Sequence, residues 1–310
     1  MDILVSHWSA NFLAVAGYLV AAGGHLLSVR PPAAGRTAAP SPAAPAAGPR
    51  RHAVREAVCC QAGLLLALLA VVSPVGYWSQ HYMWVRSVQD LLLANVAAAL
   101  IALGAPWRAL RRGLGLARLG RREPGERPPG GPARPATSGP ASVAWPLRTL
   151  LVVVVFNLAW VGWHLPVLYD AAHAHPWVYA AEIVSYLVLG TAFWRQLIGA
   201  GAGSRVAPLR RVVVIIGTVV VGTILGMFLV FGSSIVYTGY VTAHHAGYAV
   251  LADQQTAGAV LWVLMLPAYT VAAVALLLRW LNDEESEAFA SGLDRLLKPA
   301  KPAWPSRPGL

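Results

Sequence analysis

The sequence predicts an all-α membrane protein, a polytopic bundle of seven transmembrane helices. Three observations lead there. The 310-residue chain is 57% hydrophobic and 12% charged, against about 25% charged in a soluble domain, and its mean hydropathy is +0.56. Seven apolar runs are each long enough to cross a bilayer, which takes ~20 residues. The cations then alternate between connectors, so that 23 of the 24 Lys and Arg fall on one side of the bundle and only Arg86 does not. The positive-inside rule makes that side cytoplasmic, with the N-terminus outside and the C-terminus inside. The +11 net charge follows from this topology and does not call for nucleic acid.

The predicted spans are residues 11–29, 57–75, 83–103, 149–168, 177–198, 212–231 and 256–278. The first leads into five arginines and a Pro/Ala-rich stretch, 31–50, expected to be disordered. The second ends in a connector without cations. The third is followed by nine arginines around a Gly/Pro/Arg-rich stretch, 120–142, which holds too few large apolar groups to offset its ordering entropy. The fourth and fifth are joined by a short polar connector carrying Asp170, His173 and His175. The sixth contains Gly222 and Gly226 at a spacing that suits close helix packing. The seventh follows Asp253, Gln254 and Gln255. Residues 1–281 thus form the membrane domain. Residues 282–297 suit a short amphipathic cytoplasmic helix, and the rest to 310 reads as a tail. The adjacent pair Cys59–Cys60 gives neither a disulfide framework nor a spaced metal site. The N-terminus has no cationic region before its first apolar run, so a cleaved signal peptide is not expected.

This orientation sorts the polar residues. His7, His81, His164, His173, His175, His244 and His245 fall at or near the outer face, together with Asp2, Asp90, Asp170, Glu182 and Asp253. Imidazole suits copper and zinc, although loops that avoid Lys and Arg collect His and Asp anyway. Steps of three and four residues put side chains on one helix face. Arg86, Gln89 and Asp90 share a face by this rule, and so do Asn157, Trp160 and His164, and Tyr179, Glu182 and Tyr186. All lie near the outer interface, where Arg86 and Asp90 can pair across one turn. The expected arrangement is a polar pocket open to the exterior, lined by Arg86, Gln89, Asp90, Tyr179 and Gln254. The competing reading is a set of interhelical hydrogen bonds, each worth about 0.6–2 kcal/mol. Met83, Met227 and Met265 read as packing. The chain has no P-loop, CxxC, HExxH or GxSxG, and no nucleophile–base pair, so no enzyme is expected.

Three stretches, GWHLPVLYDAAHAHPWVYAAE with its downstream GTAFW, LADQQTAGAVLW, and LLLANVAAALIALGAPWR, resemble the CtaG-like family of bacterial cytochrome c oxidase assembly factors. The resemblance covers most of residues 60–280. It implies a seven-helix protein of the bacterial plasma membrane, cytochrome c oxidase subunits as partners, and a link to copper supply. The family's histidine pair at the start of the third span corresponds to Arg86 and Asp90 here. Its histidines at the start of the fifth correspond to Tyr179 and Ile183, with Glu182 retained. His164, Glu182, Asp253 and His81 remain as candidate copper ligands. The expected function is a membrane-embedded assembly factor for a haem–copper oxidase that handles copper at the outer face. The alternatives are a metal-free scaffold and a small-ion or copper transporter. A transport path would run through Arg86, Asp90, His164 and Glu182 and would need polar groups continuing into the inner half, which the sequence supplies sparsely.

Overall fold

The computed structural model describes residues 8, 11–29, 47–107, 147–198, 208–242 and 249–297, and among these it is helical with no strand. The helices are α1 (Phe12–Val29), α2 (Ala47–Val72), α3 (Pro74–Trp78), α4 (Met83–Gly104), α5 (Leu147–Trp163), α6 (Pro166–Ala174), α7 (Pro176–Ile198), α8 (Pro208–Val230) and α9 (Val250–Leu297). A short 3-10 turn, Thr238–Thr242, lies between α8 and α9. Among the described residues, five helices are long and apolar enough to cross a membrane. A sixth span results if α5 and α6 are taken together, although they meet at 69°. The apolar part of α1, Phe12–Leu27, is short for a span.

Helix α4 is the centre of the bundle. In its apolar window 67% of residues are buried, against 33% or less in the other candidate spans. It packs against α2, α7 and α9. Small residues set these distances, as is usual where helices associate in lipid. A Cβ on Gly63 would stand 2.8 Å from the Ala97 carbonyl oxygen, and one on Gly190 2.6 Å from that of Ala94. Gly226 and Gly258 meet in the same way where α8 crosses α9, with a Cβ on Gly258 only 2.6 Å from the Gly226 carbonyl oxygen. The outward faces carry Leu19, Leu158, Val188, Ile224 and Val271, the lipid-facing surface that the composition implies.

Three sequence expectations change. The span read as 149–168 breaks at Trp163. Pro166 has no N–H to give, and it pushes Leu165 into extended backbone (φ −69°, ψ 138°), as proline does to the residue before it. Residues 47–50, read with the disordered stretch, belong to α2, while 31–46, 120–142 and the tail from 298 lie outside the described residues. Residues 282–297 do form helix, but as the continuation of α9 rather than as a separate element.

Candidate functional site

The N-terminal end of α4 carries the charge that broke the topological pattern. Arg86 is fully buried, and its guanidinium forms an ion pair with Glu182 of α7, itself 1% exposed. The same guanidinium lies 4.5 Å from the Tyr169 ring centre and 5.5 Å from that of Tyr179, and it donates a 3.4 Å hydrogen bond to the Tyr240 hydroxyl. Arginine suits this place because its planar cation is weakly hydrated and stacks on aromatic faces. One turn along, Asp90 faces His164 rather than Arg86, with its Oδ2 3.9 Å from Nε2. The His164 Nδ1 sits 2.8 Å from the Trp160 carbonyl oxygen. A carbonyl only accepts, so Nδ1 carries the hydrogen and Nε2 points at the carboxyl group. The predicted Arg86–Asp90 pair is therefore replaced by two pairs that cross between helices, Arg86 with Glu182 and His164 beside Asp90.

Several atoms of this centre have no hydrogen-bond partner among the described residues: Arg86 Nε, Asp90 Oδ2, His164 Nε2, Glu182 Oε1, Tyr186 Oη and Trp160 Nε1. They form one buried polar knot among otherwise apolar neighbours.

The expected open pocket is closed. Asp90 and His164 are 2% and 4% exposed, because three tyrosines cover the centre. Tyr169 of α6 stacks on Tyr237 at 4.0 Å between ring centres, and Tyr240 packs beside Tyr169 at 5.7 Å. Two of their hydroxyls find backbone acceptors. Tyr237 donates to the His164 carbonyl at 2.9 Å, a group exposed by the break before Pro166, and Tyr240 donates to the Ser79 carbonyl at 2.7 Å. Burial pushes the Tyr240 phenol up to about 12, so it remains a donor at neutral pH. Asp170 pins the lid segment, accepting from the Thr238 amide and hydroxyl at 3.1 and 2.8 Å and from the Gly239 amide at 3.1 Å. Cβ-bearing residues fit poorly at 239, where a Cβ would stand 3.2 Å from both Asp170 Oδ1 and the His173 ring.

The other predicted site residues serve this enclosure. Asp253 accepts from the Met83 and Trp84 amides at 2.8 and 3.2 Å. It caps α4 from another helix, where the helix's own Tyr82 provides no side-chain cap. A carboxylate there answers both the unsatisfied amides and the positive end of the helix dipole. Gln254 accepts from the Val236 amide at 2.7 Å and donates to the Ser234 carbonyl at 3.1 Å, and Gln255 donates to the Gly232 carbonyl at 3.2 Å. The DQQ run thus fastens the loop that carries Tyr237 and Tyr240. Gln89 donates to the Ala70 carbonyl at 2.7 Å and accepts from Tyr179 Oη at 2.8 Å, which ties α2, α4 and α7 together.

His81 does not join the centre. It stacks on Tyr77 with 4.5 Å between ring centres, and its Nδ1 contacts the Tyr77 carbonyl at 3.0 Å. With His173 it lines a separate cavity of about 400 Å³. His175 is exposed beside Trp177. His7, His244 and His245 lie outside the described residues. Among the described residues, no three His, Cys, Asp or Glu side chains are grouped so as to hold a metal ion. The four proposed metal ligands therefore divide, with His164 and Glu182 in the centre, Asp253 on the α4 amides and His81 at the separate cavity.

Sequence reasoning missed the lid. Tyr237 and Tyr240 lie in the connector after the sixth predicted span and Asp170 in the one after the fourth, so no helical period linked them to the centre. The available signal was Arg86 itself, since a guanidinium within an apolar span requires an acid, aromatic faces and a cover.

No curated protein and no solved structure matches the chain. A family model for the cytochrome c oxidase caa3 assembly factor matches residues 42–283, a region that holds α4, α7, the lid and the DQQ run. The chain belongs to the cytochrome c oxidase caa3 assembly factor family.

Proposed function

We propose that the protein assists assembly of a haem–copper cytochrome c oxidase in the bacterial plasma membrane as a rigid scaffold for oxidase subunits, with no resident copper in its polar centre. One observation carries the scaffold reading. Arg86 and Glu182 pair with each other, and the Asp253 cap and the tyrosine hydroxyls hold α4, α6, α7, α9 and the lid in one arrangement. The donor set also fits copper poorly. His164 offers one imidazole nitrogen, and a guanidinium stands within the same knot. A monovalent cation about 4 Å from it would be repelled by about 4 kcal/mol at an effective dielectric of 20. A transport path is disfavoured too, because beyond Asp90 the buried face of α4 continues as Leu93, Ala94, Ala97, Ala98 and Ala102, with Asn95 the one polar group among these core positions.

The test is genetic and biochemical. Membranes lacking the chain should lose assembled oxidase, and the wild-type gene should restore it. An Arg86→Met/Glu182→Leu variant, which removes both charges at once, should restore it as well. Normal oxidase content without the chain would overturn the reading.

Copper as passing cargo is the second reading, and the separate cavity favours it. His81 and His173 both line that cavity, His81 resting on Tyr77 and His173 on the Tyr240 ring at 4.4 Å between ring centres. Copper(I) titration of the purified protein should then show binding that His81→Ala/His173→Ala removes and His164→Ala leaves intact. Unchanged binding in the double variant would sink this reading.

A further inference from the structure

A second cavity lies in the other half of the bundle, away from Arg86. It is a largely apolar slot of about 590 Å³ between α4, α7 and α9, with Arg55 of α2 also lining it, within the size range of sites for small organic ligands. Its α9 wall runs from Leu264 to Leu276, about 18 Å at the helical rise per residue.

Three features of the slot point to an occupant. Asn95 lines it, is 2% exposed, and its Oδ1 has no partner among the described residues, a costly state for a buried amide oxygen. Asn95 also lies in the stretch Leu92–Ala97, where α4 widens into a π-helical turn, a distortion that occurs frequently at functional sites. The Ala94 carbonyl in that turn accepts from Trp194 Nε1 at 3.2 Å, which fixes the indole in the slot's wall. From α9 comes Pro267, inside a long helix. A proline there forfeits a backbone hydrogen bond and bends the helix.

We propose that this slot binds a prenylated hydroquinone, with its aromatic head between Asn95 and Trp194 and its isoprenoid tail along α9. Asn95 Oδ1 needs a hydrogen-bond donor near the middle of α4, so the occupant carries a hydroxyl at that depth. The acyl chain of a phospholipid has no donor to offer, and a partner's transmembrane helix uses its backbone donors internally. An aromatic head adds favourable ring contact with the indole, and the Leu, Val and Ala walls accept a branched hydrocarbon. The reduced head donates, whereas the oxidised quinone only accepts, so the slot selects the reduced form.

The experiment uses the full chain in nanodiscs and decylubiquinol kept reduced under argon. Saturable binding is expected, with decylubiquinone weaker by about tenfold, the value of one lost hydrogen bond at the upper end of its usual range. Asn95→Leu should weaken quinol binding by a similar factor and erase the preference for the reduced form. Ala268→Trp, which fills the slot from the half-buried face of α9, should abolish binding. Leu158→Trp, on the lipid-facing surface of α5, should not affect it and serves as the control for a folded protein. No saturable binding, undiminished binding in Ala268→Trp, or equal binding of geranylgeraniol would overturn the proposal. So would a photo-crosslinker at position 268 that captures a polypeptide instead of the quinol.

Discussion

Arg86 shows how one side chain constrains its neighbours. A buried guanidinium is tolerable only when paired, and removing one partner of such a pair costs about 3–5 kcal/mol. Glu182→Ala should therefore lower stability by about that amount in thermal unfolding of the detergent-solubilised protein. Arg86→Met/Glu182→Leu should recover most of the loss, because burying two apolar groups avoids the charge penalty altogether. Equal destabilisation in the single and double variants would show that the pair is not the cause. Tyr240 adds a pH dependence of known sign. Its phenol is held at about 12, above an ordinary value of 10. The unfolded chain therefore releases its proton first, and the stability this group contributes is lost as pH rises from 10 toward 12. Tyr240→Phe should remove that part of the alkaline loss, read as a flatter melting temperature across the window. That Arg86, Asp90, His164 and Glu182 lie at one level of the bundle was legible from the alternation of cations between connectors. Their pairing was not, since period places residues on a helix face but does not say which faces of α4, α5 and α7 meet.

At the level of elements, the DQQ run changes meaning. In the sequence it preceded a span and offered ligands, whereas in the fold its acid is a cap supplied by α9 to α4. Asp253→Ala should cost about 1–2 kcal/mol, the range for a lost N-cap, and should speed hydrogen exchange at the Met83 and Trp84 amides before any other part of α4. Uniform exchange along the helix would refute a capping role. The small-residue crossing of α8 and α9 is legible only in part. Gly222 and Gly226 announce a close approach, but their partner Gly258 gives no signal of its own in the sequence. Gly258→Leu should separate the two helices and lower stability more than Gly217→Leu, since nothing lies within 4 Å of a Cβ at Gly217. Comparable melting temperatures for the two variants would argue against that crossing. The break at Leu165–Pro166 could have been read from proline chemistry alone. It was masked because the apolar composition continues past it to Leu168.

For the whole molecule, composition and the side-to-side alternation of arginine made the all-helical membrane class plain. Apolar length is a coarser guide to the number of crossings, as the short α1 and the bent α5–α6 pair illustrate. The closure over the polar centre was not legible, because it depends on contacts distant in sequence, such as Tyr240 with Ser79 and Thr238 with Asp170. Those contacts also set an order of events during synthesis. The cap on α4 joins residues 170 positions apart, and the Arg86–Glu182 pair joins residues 96 apart. At about 5–20 residues per second, α4 waits several seconds for its counter-charge and longer for its cap. A nascent chain halted before residue 253 has an uncapped central helix, so the bundle is locked only once α9, the last of the described helices, has emerged.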